Sequence, residues 1–205
     1  MANYTAVQGV MLAIADMLQE ALQQAPALPA AGATVQLLGS AQLNGAIPNN
    51  TLVLYLYRIS VDPTMVGGYL RTKPGSGART PEISVMLHFL TFTIADTAVN
   101  EISLMGWGFQ QMAATPAIGA DRLAAQAIVG LPADAPPIVW EDSDSVQIAT
   151  EELTREELMR IWDTLPLKYR LTVPFVARGL RLTLAPDMRQ YTPVVDRSIV
   201  LELTP

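Results

Sequence analysis

The first sixty residues show a helical pattern followed by two strand patterns. Apolar residues recur at helical spacing over residues 5–24, and Pro26 supplies a stop, which predicts an amphipathic helix. Residues 34–38 are predicted to form a short strand, and the Gly-, Asn- and Pro-rich residues 39–50 a loop. Residues 51–60 are apolar on both alternating faces and rich in strand formers. They are therefore predicted to be a central strand.

An exposed connection and a long strand are predicted next. Residues 61–80 contain several prolines and glycines, so they are predicted to be an exposed and mobile connection. Its basic residues Arg71, Lys73 and Arg79 are candidates for an interface with another subunit. Residues 82–93 place apolar side chains on both alternating faces, which predicts a strand that is buried on at least one side.

Two helices are predicted in the middle of the chain. The first has Asp96 or Thr97 as its N-cap and ends before Pro116. A second, shorter helix is predicted over residues 121–129. The residues that mark the predicted helical stripe of the first helix are Ile102, Met105, Phe109 and Met112.

The strongest local signal lies near the C-terminal third of the chain. Thr154 and Glu157 fit a capping box, so a helix is predicted over residues 155–165, with Pro166 as its stop. Strands are predicted over residues 168–178, 179–184 and 197–204.

Together these elements predict one α+β domain over residues 1–184, with a mixed, largely antiparallel sheet packed by three to four helices. Residues 185–205 are predicted to be an extension that carries a terminal strand. That strand either completes the sheet of its own subunit or pairs with a sheet edge of a neighbour as an arm. The interface residues that the second interpretation predicts are Arg197, Ile199, Leu201 and Leu203.

The composition favours a component of a larger assembly. Of the 205 residues, 50% are hydrophobic and only 16% are charged, so much of the surface is expected to be apolar and suited to contacts with other protein. A formal net charge of −6 argues against nucleic acid as a partner. The N-terminal residues predict neither a signal peptide nor a membrane span, which implies synthesis in the cytoplasm without membrane insertion.

Few residues are candidates for catalysis or metal binding. His88 is the only histidine, and it is interpreted as a packed histidine with its ring hydrogen-bonded to a neighbour. Cysteine is absent, and the acidic residues Glu141, Asp142 and Asp144 lack the spacing of a calcium loop. They are predicted to form a solvated acidic turn, so no catalytic residue, metal or cofactor is expected. A pair of carboxylates that meet in space stays open as a hydrolase site.

Several sequence segments point to a known family. They are L-Y-L-Y-R-I (54–59) with the variable loop after it, P-E-I-S-V-M-L-H-F-L-T (81–91), L-M-G-W-G-F-Q-Q-M (104–112), L-T-R-E-E-L-M-R-I-W-D-T-L (153–165) and Y-R-L-T-V-P-F-V (169–176). In this order they resemble the cap or tail-terminator family of extracellular contractile injection systems, of the antifeeding-prophage and virulence-cassette type. The motif residues expected in the core are Tyr57, Leu87, Gly106, Leu158, Trp162 and Tyr169.

The resemblance implies a tail-terminator-like fold and a structural role without enzymatic activity. The subunit is expected to form a ring of six copies that contacts the last layers of the inner tube and the sheath. It would stop polymerisation and join sheath to tube in a particle that is assembled in the cytoplasm and can be released. A baseplate or connector adaptor of the same kind of particle is the first alternative, and a small carboxylate-dependent hydrolase is the second.

The distribution of charge is compatible with a ring. Residues 141–163 hold eight acids and two bases, whereas residues 58–79 hold one acid and four bases, and residues 164–205 three acids and six bases. Opposite charge on separate segments suits a head-to-tail contact between identical subunits. Chance clustering of surface charge stays open as the alternative.

Overall fold

The computed structural model describes residues 4–25, 30–63, 69–72, 79–128, 138 and 140–183. The helices are α1 (Ala6–Gln24), α2 (Ala98–Ala114), α3 (Ala120–Ala124) and α4 (Arg155–Asp163), and a single 3-10 turn covers Gln42–Asn44. The strands are β1 (Thr34–Leu37), β2 (Thr51–Val61), β3 (Tyr69–Thr72), β4 (Arg79–Ile94), β5 (Ala117–Gly119), β6 (Ser145–Thr150) and β7 (Thr172–Thr183). Among these residues, no helix is long and apolar enough to cross a membrane.

The strands form one mixed sheet in the order β1-β2-β4-β7-β6-β5, and β3 pairs with the first residues of β4. Only the pairing of β1 with β2 is parallel; the other pairs are antiparallel. This arrangement confirms the predicted α+β class with a largely antiparallel sheet and about four helices. The strands β4 and β7 lie at the centre of this order; β7 pairs with β4 over residues 172–183 and with β6 over residues 175–178.

One predicted strand is confirmed as central, and one predicted strand boundary is wrong. The strand β2 lies inside the sheet between β1 and β4, although β1 pairs only with residues 51–54 of it. The predicted break near Gly179 is absent, because β7 runs continuously from Thr172 to Thr183. Gly179 has φ +94°, and a Cβ on it would lie 2.8 Å from the carbonyl oxygen of Ser145. Glycine therefore lets β7 continue past β6 at a point where another residue would clash.

The predicted connection over residues 61–80 is partly strand. Residues 69–72 form β3, and they pair in antiparallel register with residues 79–82 at the start of β4. Residues 64–68 and 73–78 of that prediction lie outside the described residues. The predicted helix over residues 121–129 is shorter than expected, because α3 ends at Ala124.

One face of the sheet packs against α1 and α2. The side chains of Leu52, Leu54 and Phe89 are fully buried there against Val10, Ile14 and Leu18 of α1. The helix that Ile102, Met105, Phe109 and Met112 predict is confirmed as α2; of the four, Met105 and Met112 are buried, whereas Ile102 and Phe109 are exposed. The buried face also contains Leu104 and Gly108. A Cβ on Gly108 would lie 2.8 Å from Leu52, so glycine allows α2 to approach the sheet closely.

The opposite face of the sheet packs against α4. This second core contains Leu43, Val53, Leu90, Phe92, Trp162 and Leu165. Trp162 is 3% exposed and meets the ring of Phe92 edge to face, with ring centroids 5.1 Å apart. The helix begins with the predicted capping box between Thr154 and Glu157.

The motif residues that were expected in the core are divided between core and surface. Leu87 and Trp162 are buried, whereas Tyr57 and Leu158 are half-buried. The expectation is wrong for Gly106 and Tyr169, which are exposed. Gly106 lies on the outer face of α2, opposite Gly108. The ring of Tyr169 covers one side of Trp162 from outside, with centroids 5.5 Å apart.

Candidate interaction surfaces and a buried polar cluster

A cluster of polar side chains lies beside α4 on the second face of the sheet. Two neighbouring strands and the residue after β6 supply it: Tyr57 and Ser60 from β2, His88 from β4, and Glu151. His88 is 3% exposed, and its Nδ1 lies 2.7 Å from Oε1 of Glu151 while its Nε2 lies 2.7 Å from Oγ of Ser60. The hydroxyl of Tyr57 donates to Oε2 of Glu151 at 2.7 Å. We call these four residues the polar cluster.

Both ring nitrogens of His88 have hydrogen-bond partners within the polar cluster. Nδ1 is bonded to the Glu151 carboxylate, and Nε2 is bonded to the Ser60 hydroxyl. The interpretation of His88 as a packed histidine that is hydrogen-bonded to its neighbours is therefore confirmed. Arg58, half exposed at the rim, completes the set with its guanidinium 3.6 Å from Oε1 of Glu151.

The polar cluster ties α4 to the sheet. Glu151 lies between β6 and the N-cap of α4, and its carboxylate is held by side chains from β2 and β4. Burial and the hydrogen bond to Glu151 raise the pKa of Tyr57 far above its ordinary value of 10.0. The phenol therefore stays protonated, and stays a donor, throughout the neutral pH range.

The hydrogen bonds that connect Ser60 to His88 and His88 to Glu151 have the same connectivity as the catalytic triad of a serine hydrolase. In such enzymes the serine lies on a sharp turn between a strand and a helix, where backbone N–H groups can stabilise an oxyanion. Ser60 instead lies within β2 and pairs with Met86 across the ladder. The relay geometry is present without that turn. Sequence inspection missed Ser60 and Glu151, because the hydrogen-bonded Tyr57 and Glu151 are 94 residues apart.

The predicted acidic turn is confirmed. The N–H of Asp144 donates to the carbonyl of Glu141 at 2.7 Å, and the N–H of Glu141 donates to Oδ2 of Asp144 at 2.9 Å. Asp142 is exposed at the tip of this turn. In the part of the chain that the structure describes, no group of His, Asp or Glu residues has the geometry of a metal site.

The predicted acidic and basic interface residues lie at two different sides of the sheet. The acidic turn immediately precedes β6, next to the edge strand β5. Arg71 lies in β3 and Arg79 at the start of β4, on the side of β4 where β2 pairs. Some predicted interface residues lie outside the described residues; they are Lys73, Arg197, Ile199, Leu201 and Leu203.

An exposed apolar surface lies on the outer side of α2. Val99 is 73% exposed and Ile102 is 64% exposed, although both are large hydrophobic side chains. Leu171, 39% exposed, is also near α2, because its N–H donates to the side chain of Glu101 at 3.3 Å. Phe109 is exposed further along the same helix. We call Val99, Ile102, Phe109 and Leu171 the α2 patch.

A second apolar surface lies at the outer edge of β2. β1 ends at Leu37, and the last bond from it is donated by the N–H of Leu38 to the carbonyl of Leu54. Within the described ranges, no strand pairs with the outer edge of β2 beyond this point. Ile59 and Val61 follow there, each about half exposed. We call residues 56–61 the open edge of β2.

A cleft of about 520 Å³ adjoins the open edge. Its walls are the first turns of α1, the end of β1 and the side chain of Leu56, and most of the lining is apolar. The apolar lining is provided chiefly by Tyr4, Val7, Met11, Leu37, Leu38 and Leu56.

Comparisons with known proteins bear on the whole chain. Residues 9–196 match the family described as the Pvc16 N-terminal domain. The fold is similar to that of a sheath/tube terminator, known from a cryo-EM structure of the extracellular contractile injection system PVC in its extended state. The TM-score is 0.54 and the sequence identity 14%, and the match covers 97% of this chain and 64% of that chain. The cryo-EM structure of the anti-feeding prophage cap, a tube-terminating cap, is similar with the same TM-score and identity, over 96% of this chain and 63% of that chain.

This chain therefore spans less than two thirds of each of the two solved chains. No curated protein matches it. The two structural similarities show a shared fold, and the family match covers most of the sequence. The chain belongs to the Pvc16 N-terminal domain family.

Proposed function

We propose that this chain is a structural cap subunit that ends the tube and sheath of a contractile phage-tail-like injection particle. The family match over residues 9–196 carries the proposal, because the two solved proteins that share the fold are a sheath/tube terminator and a tube-terminating cap. In this role the subunit covers the surfaces that the last rings of tube and sheath leave unpaired, which stops polymerisation and joins the two. The role requires no cofactor, metal or bond chemistry.

The α2 patch supports this role as a surface for the tube or the sheath. Large hydrophobic side chains that are 64–73% exposed, such as Ile102 and Val99, favour contact with another protein when they are grouped. They lie on the outer side of a helix whose inner side is already packed on the sheet. A partner that covers them would remove apolar area from water without disturbing the core.

The ring is proposed to close by head-to-tail contacts between the acidic turn and the basic side of the neighbour. The acidic turn is next to β5 and β6, whereas Arg79 lies at the start of β4 and Arg71 lies in β3, on the side of β4 where β2 pairs. Opposite charges at opposite sides of one sheet can meet only between different copies, and such heterologous contacts generate rings. Six copies are proposed, in line with the six-fold ring that the family resemblance implies.

The cap role is tested by measuring particle length. Particles are produced with the wild-type chain, without it, and with a Val99→Ser/Ile102→Ser variant, and tail lengths are measured by negative-stain electron microscopy. Uniform tails with the wild type and broadly distributed lengths without it are expected, and the variant should resemble the deletion. Asp16→Asn, a change at an exposed position of α1 outside the proposed surfaces, is the matched control and should keep a narrow length distribution. Uniform lengths in the absence of the chain would overturn the proposal.

Labelling the subunit separates the cap from the baseplate or connector adaptor. A tag fused before Ala2 and decorated with gold should appear at one end of the particle, away from the baseplate. Gold at the baseplate end would favour the adaptor instead.

The relay geometry of the polar cluster is the one observation that favours a hydrolase. We propose that it is structural, so the purified chain should not hydrolyse p-nitrophenyl esters above background and should not react with a fluorophosphonate probe. Labelling of wild type that is lost in Ser60→Ala would show that Ser60 is a nucleophile and would contradict the structural role.

A further inference from the structure

The open edge of β2 has the backbone geometry of a site for an added strand. The N–H of Asp62 donates to the carbonyl of Ser84 in β4 at 3.0 Å. In an antiparallel ladder, bonding to one neighbour alternates along the strand, so the backbone groups of Ile59 and Val61 point away from β4. The described chain provides no strand on that side. Unpaired backbone groups at a long sheet edge can be satisfied by a further strand.

The protein already protects a neighbouring part of the same sheet edge. The side chain of Gln19 from α1 accepts a hydrogen bond from the N–H of Val35 in β1 at 2.9 Å. This bond uses an outward-pointing N–H of the edge strand and blocks pairing there. No such side chain caps the open edge among the described residues, where Ile59 and Val61 are instead apolar and about 50% exposed. The protection ends where the open edge and its cleft begin.

The two faces of the open edge differ in chemistry. Leu56, Ile59 and Val61 pair with Phe89, Leu87 and Val85 of β4, on the face that carries α1 and the cleft. Arg58 and Ser60 lie on the other face, beside His88. A strand that fits this edge has apolar residues at alternate positions for the cleft face and polar residues between them.

The sequence contains such a strand after the last described residue. Residues 197–204 read R-S-I-V-L-E-L-T, with Ile199, Leu201 and Leu203 at alternate positions. The intervening positions are Ser198, Val200 and Glu202, two of which are polar. β7 ends at Thr183, where it pairs with Glu82 of β4. Residues 184–196 can extend over roughly 45 Å. The open edge of its own subunit lies two strands away from β7, roughly 15 Å across the sheet, so this length reaches either that edge or the open edge of a neighbour.

We propose that the open edge of β2 accepts residues 197–204 of a second copy of this chain as an added strand. Ile199, Leu201 and Leu203 then face the cleft side, next to Ile59 and Val61. The pairing deepens the proposed ring, because it links each subunit to the next by a backbone ladder in addition to charge. It rests on the ring of the proposed function, but it can be tested in the purified chain without tube or sheath.

The test is a cysteine scan, which the chain allows because it contains no native cysteine. The acceptor is truncated after Asp187 and carries Ile59→Cys, so it cannot supply the strand itself. The donors are full-length chains with a single cysteine at each position from 198 to 203. The proposal expects disulfide-linked heterodimers, after mild oxidation, with donors at 199, 201 and 203 and at least fivefold less with donors at 198, 200 and 202. This period of two is the signature of strand pairing on one face.

Controls separate specific pairing from random collision. An acceptor with Val99→Cys in place of Ile59→Cys has an equally exposed cysteine on the α2 patch and should give no periodic pattern. A Val61→Lys change in the Ile59→Cys acceptor should reduce cross-linking several-fold, and circular dichroism checks that both acceptors are folded. Absence of heterodimers, or yields without the period of two, would overturn the proposal.

Two further outcomes are informative. A full-length chain with both Ile59→Cys and Leu201→Cys that forms only an intramolecular disulfide, detected as a faster band on a non-reducing gel, would show pairing within one subunit and would overturn the proposal. Periodic cross-linking together with tails of uniform length in particles that lack the chain would sustain the pairing while the cap role fails.

Discussion

The polar cluster makes His88 a structural residue with a measurable effect. His88→Ala is expected to lower the free energy of unfolding by about 1–3 kcal/mol, because the half-buried Glu151 and the Ser60 hydroxyl each lose a hydrogen-bond partner. Urea denaturation at neutral pH measures this change. Asp142→Ala, at the exposed tip of the acidic turn, should stay within about 0.5 kcal/mol of the wild type. Equal effects of the two changes would contradict the stabilising role of the cluster.

Among the residues of the second core, truncation of Trp162 is expected to cause the largest loss of folding stability. Trp162→Ala should destabilise the protein by about 3–5 kcal/mol, because it empties the space between Phe92 and Leu165. Trp162→Phe keeps an aromatic ring and removes an Nε1–H that is buried without a hydrogen-bond partner, so it should cost much less. Thermal unfolding of the two variants compares them. A Trp162→Ala protein as stable as the wild type would contradict the packing.

At the scale of elements, the capping box is expected to stabilise the N-terminus of α4. Thr154→Ala removes the acceptor of the Glu157 N–H, and it should cost about 1 kcal/mol. Thr164→Ala, at the other end of the same helix, is the matched control and should cost less, since its hydroxyl only donates to the carbonyl of Ile161. Chemical denaturation compares the two variants at pH 7. A larger loss in Thr164→Ala would contradict this ranking.

The contribution of Glu157 to the cap should depend on pH. Hydrogen bonds from the side chain and the backbone of Thr154 lower the pKa of Glu157 below its ordinary value of 4.5. A lowered pKa in the folded state means that the stabilisation is present above pH 4.5 and is lost as the pH falls through the folded value. The stability difference between wild type and Glu157→Gln should therefore shrink on acidification from pH 7 to pH 3, as measured by urea denaturation. A constant difference would contradict the assignment.

Local signals predicted some elements well and others poorly. The α4 start was predictable, because Thr154 and Glu157 are close in sequence and form the cap by themselves. The buried face of α2 was predicted only in part, because Gly108 contributes no hydrophobic signal although it is the closest contact with Leu52. The strands β5 and β6 were missed because β5 is only three residues long and only Val146 and Ile148 of β6 are buried.

The open edge and the polar cluster could not be predicted from the sequence, because they depend on tertiary structure. Nothing in residues 56–61 indicates an open edge; it arises because β1 ends at Leu37, about twenty residues earlier. The polar cluster likewise combines β2, β4 and the residue after β6. The acidic turn was predictable because Glu141 and Asp144 bond to each other within four residues.

At the scale of the whole molecule, the proposed ring predicts a charge-swap experiment. Glu141→Lys/Asp142→Lys should abolish the ring, because it places positive charge against Arg71 and Arg79 of the neighbour. Adding Arg71→Glu/Arg79→Glu to the same chain restores opposite charges and should recover the ring in mass photometry. The wild-type ring should also weaken with increasing salt. If the variant with all four substitutions stays monomeric while the wild type forms rings, the proposed contact between the acidic turn and the neighbour's Arg71 and Arg79 is wrong.

The central position of β7 has a consequence for how the protein is made. Thr91 of β4 bonds to the carbonyl of Val173 in β7, which is 82 residues further along the chain. During synthesis at about 5–20 residues per second, β4 therefore waits roughly 4–16 s for its partner. Pairs so distant in sequence also form slowly after synthesis. The pairing of the described strands is complete only after Thr183 has been synthesised, so one edge of β4 stays unpaired throughout that interval and is open to pairing with other chains.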